Sequence, residues 1–314
     1  MKQDAIFLQA KPAQQRIEAN GGWVEGSATF TGPNPPDAAL ITYYQSMRHI
    51  FGKMKLEVFD AQGKLVDTLP ANSRRGISRV EWPMRLKAPR VPPAATAAFE
   101  ASQGPRVLPG TYTVKMTRGK ETYTAPLVLQ LDPRVQFTLD DRKLEFAAAM
   151  KLYNLLGDMS FDVDRINGVH DSLLDRGAKL KDAASAKRLQ DLADKLDDLR
   201  KKIVATKEGG AVTGEERIRE KTTQIYGAVL NYEGRPTNEQ ASRIDSLKKE
   251  LEDVAAQFDA LVGKELPAIN KLLSQKKLEQ VQPIDRKMWD ASDSESGAGP
   301  AGAAQFLQQR ISLR

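Results

Sequence analysis

Up to residue 131 apolar and polar positions alternate in short runs, and beyond Asp132-Pro133-Arg134 the apolar residues recur every three or four positions almost to the end. The first pattern is the period of a half-buried strand and the second that of a helix with one apolar stripe. Lys55–Leu69 reads as a hairpin: Leu56 and Val58 alternate, Asp60-Ala61-Gln62-Gly63 turns, and the alternation resumes at Leu65. Gly76–Trp82 sets Ile77, Arg79 and Glu81 on one face and Ser78, Val80 and Trp82 on the other, and Pro83 ends it by withholding a ladder donor. A second hairpin runs from Thr111 through Arg118-Gly119-Lys120 to Leu131. Ala39–Tyr44 forms a strand after the turn-rich Gly32-Pro33-Asn34-Pro35-Pro36-Asp37. Six to seven short strands with this punctuation predict an immunoglobulin-like antiparallel β-sandwich. The Pro- and Ala-rich stretch from Lys87 to Pro105 reads as an exposed crossover between strands.

The second half opens on a capping box, Thr138 with a carboxylate at Asp141. Its stripe steps through Leu152, Leu155, Met159, Val163, Ile166, His170 and Leu173. Leu189, Leu192, Leu196, Leu199 and Ile203 form a second stripe, which Gly209-Gly210 is expected to end. A box at Thr213-Gly214-Glu215-Glu216 precedes Ile218, Ile225 and Val229. Another at Thr237–Gln240 precedes Ile244, Leu247, Leu251, Val254, Phe258 and Leu261, with Pro267 expected to bend or restart that helix. The prediction is an antiparallel bundle of three long helices and a shorter one. The fold class is therefore α+β in separate domains: an N-terminal linker or edge strand over 1–31, the sandwich over 32–134, the bundle over 135–280, and a mostly disordered tail over 281–314.

Charge changes this picture little. The net +6 lies in the first domain, where residues 1–131 carry 17 Lys and Arg against 10 Asp and Glu. These cations are scattered, with Arg74-Arg75 the one adjacent pair among Lys53, Lys55, Arg74, Arg75, Arg79, Arg85, Lys87 and Arg90, so no nucleic-acid partner is expected. Zero cysteines exclude disulfides, thiolate metal sites and a cysteine nucleophile. The apolar run Ala5–Leu8 is shorter than the ~7–15 residues of a signal-peptide core, and no stretch approaches the ~20 that span a bilayer. Neither an export signal nor a membrane span is expected.

No constellation of side chains declares a reaction, a metal or a cofactor. There are two histidines. His170, on an apolar stripe, reads as a hydrogen-bonded core residue before a ligand or base, and His49 as a surface residue at a strand end. Asp158 and Asp162 share a helix face with Asp164 nearby, a geometry that suits a hard cation but also any solvated helix face. Trp23, Tyr43, Tyr44, Trp82 and Trp289 offer stacking surfaces or core packing. One of Tyr43 and Tyr44 must face outward from a regular strand, and that tyrosine is the candidate for a contact surface. The sequence therefore points to no catalytic, cofactor-binding or metal residue, and it leaves the ligand-binding residues unknown.

The ordered series Gly32–Tyr44, Leu56–Gly63, Val80-Glu81-Trp82-Pro83-Met84-Arg85, Leu108–Val114 and Leu131-Asp132-Pro133-Arg134 resembles the C-terminal region of bacterial sialidase-type propeller proteins of the BNR or Asp-box, sortilin-like class. Ile225-Tyr226-Gly227 and Arg235-Pro236-Thr237 extend the resemblance into the helical half, so that it covers roughly residues 5–275. The propeller, with its repeated Ser-x-Asp-x-Gly-x-Thr-Trp boxes, is absent, so no propeller residue has a counterpart here. The resemblance implies a non-catalytic accessory module of a glycosyl-hydrolase-like protein, exported to the periplasm or cell envelope, whose partner is a propeller or a second copy. A polysaccharide-binding module would show an exposed aromatic row, a hydrolase a carboxylate pair about 5–10 Å apart in a pocket, and an assembly protein a solvent-exposed apolar face.

Overall fold

A computed structural model describes residues 4–17, 36–209 and 214–296. Trp23, the Gly32–Pro35 part of the first turn, Gly210, the cap at Thr213 and the tail beyond 296 lie outside the described residues. The chain forms two compact units. One comprises Met1–Lys87, Pro105–Phe146 and Glu233–Arg235, and the other Ala88–Gly104, Ala147–Tyr232 and Pro236–Arg314. The units therefore interleave along the chain, where the sequence pattern suggests one change at Asp132-Pro133-Arg134.

The first unit is an α+β sandwich of two sheets. Strands β1 (Ala5–Phe7), β3 (Ala39–Gln45) and β6 (Gly76–Trp82) form one antiparallel sheet in the order β1-β3-β6. Strands β2 (Ala13–Gln15), β8 (Glu121–Leu131), β7 (Gly110–Arg118), β4 (Met54–Phe59) and β5 (Leu65–Leu69) form the other in that order, antiparallel except for a parallel β2–β8 pair. That parallel pair departs from the all-antiparallel expectation. It arises because the chain crosses from one sheet to the other between β1 and β2 and meets the far end of β8. Between the sheets lie Ala5, Ile41, Tyr43, Leu56, Val58, Val80, Trp82, Val114, Met116, Leu127 and Leu129, the inward set that period-two alternation selects. Trp82 is fully buried and packs edge-on against Tyr112, with ring centroids 5.4 Å apart. At the β4–β5 turn Asp60 Oδ1 accepts from the N–H groups of Gln62 and Lys64, and Gly63 supplies the left-handed backbone, φ +77°.

The second unit is helical, and the first of its helices starts within the segment Pro105–Phe146 of the first unit. The capping box at Thr138 and Asp141 forms as expected, each backbone N–H bonding the other's side-chain oxygen at 3.0–3.1 Å, and starts α1, Leu139–Ala178. Helix α2 (Ala183–Ile203) is capped by Asp182, α3 spans Ile218–Leu230, and α4 (Asn238–Gln275) starts at the Thr237–Gln240 box. Lys195–Glu265 and Lys202–Gln257 contacts set α2 antiparallel to α4. Lys151–Asp245 and Arg165–Asp259, which keep one sequence offset, set α1 parallel to α4. The apolar stripes meet in one core containing Leu152, Met159, Ile166, Leu196, Tyr226, Leu251, Phe258 and Ile269.

Several expectations are corrected. Helix α2 ends at Ile203 with Val204 extended, six residues before Gly209, and Glu215 accepts from Thr206 rather than capping α3, which begins at Ile218. Pro267 does not restart α4, which runs through it without interruption. The stretch Ala88–Gly104 is no free crossover. Val91, Ala94 and Ala98 pack on the helical core, Ala95 N–H bonds Ala205 C=O, and Gln103 C=O accepts from Tyr226 Oη. Proline bars this strap from regular pairing, while its alanines let the backbone lie close to the helices. The tail expected from 281 contains α5, Arg286–Ser296, fixed by Trp289, which is 7% exposed.

Candidate functional site

The outer face of the β1-β3-β6 sheet carries a row of apolar side chains. Register places Ile6 of β1 opposite Tyr44 of β3, and Tyr44 opposite Ile77 of β6, so one row crosses all three strands. Ile77 is 70% exposed, Ile6 and Leu40 are exposed, and Tyr44 is half-buried. The loop after β3 carries three more exposed apolar side chains, Met47, Ile50 and Phe51, the last 84% exposed. His49 N–H bonds Ser73 C=O at 2.9 Å, which holds this loop beside the chain entering β6 and thus at the Tyr44–Ile77 end of the sheet. Tyr44 is the outward tyrosine. Tyr43 is fully buried, and its hydroxyl donates to Asn72 C=O and accepts from Asn72 N–H at 2.7 Å.

A buried charge cluster lies in the same unit. Arg106 pairs with Asp37 and Glu233 and donates to Arg16 C=O at 2.9 Å. Arg142, with no exposed surface, pairs with Glu145, lies 3.7 Å from Glu233 and donates to Arg106 C=O at 2.7 Å. Burial pushes the Glu145 carboxyl up to about 7, against the pull of Arg142, with Glu233 adding to the rise. The arrangement joins the start of α1 and the 233–235 segment to the sandwich, and sequence reasoning missed it. Its members come from four distant stretches, and isolated charges carry no mark of burial.

The other sequence candidates do not converge. His170 is not a core residue. It stands at the rim, 2.8 Å from Asp171, while Val169 takes the buried position. His49 is half-buried rather than on the surface, beside Gly52 and Gly119. Asp158 pairs with Arg286, Asp162 with Arg165, and Asp164 accepts from Trp289 Nε1 at 2.7 Å. Trp289 lies under the guanidinium of Arg90, 4.0 Å from its ring centre, and meets Phe161 edge-on. Among the described residues no three His, Asp or Glu groups gather as metal ligands, and no helix is long and apolar enough to cross a membrane.

No family model matches this chain, and no curated protein matches it. Among solved structures, CopC from Methylosinus trichosporium OB3b aligns with 43% of this chain and 99% of its own at 12% identity, with a TM-score of 0.21.

Proposed function

We propose that this chain is a non-catalytic docking module whose partner is a propeller domain of the sialidase type, held against the outer face of the β1-β3-β6 sheet. The observation that carries this reading is the apolar row Ile6–Tyr44–Ile77, with Met47, Ile50 and Phe51 exposed on the loop that follows β3. Exposed large apolar groups gathered on one face of a sheet favour protein contact, and a few well-packed ones supply most of the affinity of such a contact. The partner class comes from the resemblance of the ordered motifs to the region that accompanies a propeller.

Light scattering of the purified chain mixed with a sialidase-type propeller tests it. A complex is expected, weakened about tenfold or more by Ile77→Asp or Phe51→Ser. Absence of a complex, or hydrolysis of a glycoside by the purified chain alone, overturns the reading.

A further inference from the structure

Strand β6 is the last strand of its sheet. It pairs with β3 along all seven residues, and among the described residues no backbone hydrogen bond reaches it from the other side. Such an edge is a template for another strand, and proteins blunt it with prolines, bulges or charges of one sign. Within Gly76–Trp82 there is no proline, and the β3–β6 register runs without a shift. Ser78, Val80 and Trp82 are buried on the core side, whereas Ile77, Arg79 and Glu81 face outward. Neither Arg79 nor Glu81 has an ion-pair partner among the described residues.

We propose that two copies of this chain join through β6, edge to edge and antiparallel, so that two three-stranded sheets become one of six. A two-fold contact sets the strand against itself. Keeping core face beside core face restricts the centre of the pairing to a single residue. Centred on Val80, each Arg79 stands opposite Glu81 of the other copy, giving two cross-strand ion pairs, with Ser78 opposite Trp82. Centred on Arg79 or on Glu81, like charges stand opposite each other, which disfavours those registers. Centred on Ser78, Arg79 faces Ile77, and Glu81 falls opposite Arg75, outside the strand. The Arg79–Glu81 spacing thus selects both the partner and the register.

This deepens the docking reading and rests on it, by adding an identical copy as partner at the edge while the Ile77–Tyr44 face stays available to a different protein. Sedimentation of the full chain is expected to show a mass twice 34.7 kDa as concentration rises. Arg79→Glu alone and Glu81→Arg alone each weaken dimerisation about tenfold or more, because each sets like charges across both pairs. Mixing those two variants restores a dimer holding one of each, and the double variant R79E/E81R dimerises as the parent does, which a merely structural role for either residue does not produce. A parent chain that stays monomeric overturns the proposal, as do variants that all dimerise equally or a mixture that gains no mixed dimer. Propeller binding that Ile77→Asp leaves unchanged, in a chain that still dimerises, is failure of the docking reading, whereas a chain that binds the propeller but stays monomeric is failure of this one.

Discussion

Arg142 exposes none of its surface, and its guanidinium is held by the carboxyl groups of Glu145 and Glu233 rather than by water. Removing one partner of a buried ion pair leaves the other uncompensated. Arg142→Ala is therefore expected to lower stability by about 3–5 kcal/mol, read from denaturant unfolding. The same burial makes Glu145 a source of pH dependence. Its carboxyl is raised from the ordinary 4.5 to about 7, so across that window the folded chain holds a proton that the unfolded chain has released. The stability this group contributes is full below about pH 4.5 and is lost as the pH rises through 7. Burial raises Asp162 to about 6, which adds a loss of the same sign over a lower range. Unfolding followed from pH 4.5 to 8 is expected to show a slope that Glu145→Gln reduces by about 1–3 kcal/mol in total. An unchanged slope counts against this account of Glu145.

At the scale of elements, two glycines in helices separate packing from propensity. A Cβ at Gly227 of α3 falls 2.8 Å from Cβ and Cγ of Glu100, in the 3-10 turn Phe99–Ala101, whereas a Cβ at Gly168 of α1 meets nothing within 4 Å. Gly168→Ala is expected to stabilise by about 1 kcal/mol through helix propensity. Gly227→Ala is expected to destabilise by about 1–3 kcal/mol, since the strap carrying Glu100 must shift. Thermal unfolding of the two variants distinguishes them directly. The elements themselves were legible where their cause is local. The Thr138–Asp141 and Thr237–Gln240 boxes, the Asp60 turn and the alternation of β3, β4 and β6 each depend on residues a few positions apart. The packing of 88–104 was not legible, because its proline and alanine content describes a segment without secondary structure whether or not something covers it. The charge cluster was hidden for a related reason. Arg106 finds Asp37 69 residues away and Glu233 127 residues away, and no periodicity joins positions so distant. On the outer face of the β1-β3-β6 sheet, alternation groups Ile77 with Arg79 and Glu81 and leaves open which of Tyr43 and Tyr44 points outward, and the alignment of Tyr44 with Ile77 in one row depends on register between strands.

For the whole molecule, the interleaving of the two units decides what can be cut from what. A fragment ending at Arg134, where the sequence pattern changes, keeps every strand of the sandwich but loses Arg142, Glu145 and Glu233. Arg106 then stays buried with Asp37 as its remaining carboxylate partner. The fragment 1–134 is expected to lack a cooperative unfolding transition, and one as sharp as that of the full chain refutes this dependence. Asp132–Arg134 lies inside the first unit and not at its boundary: Asp132, itself buried, accepts from Arg134 N–H at 3.0 Å and from its guanidinium where the chain leaves β8. The position of Glu233 also bears on how the protein is made. A ribosome releases the strands first, yet the carboxylate that Arg106 and Arg142 share emerges only after α1, α2 and α3 have been synthesised. The unit that holds the sandwich is thus completed only when Glu233 emerges, and until then Arg106 waits on a carboxylate 127 residues downstream.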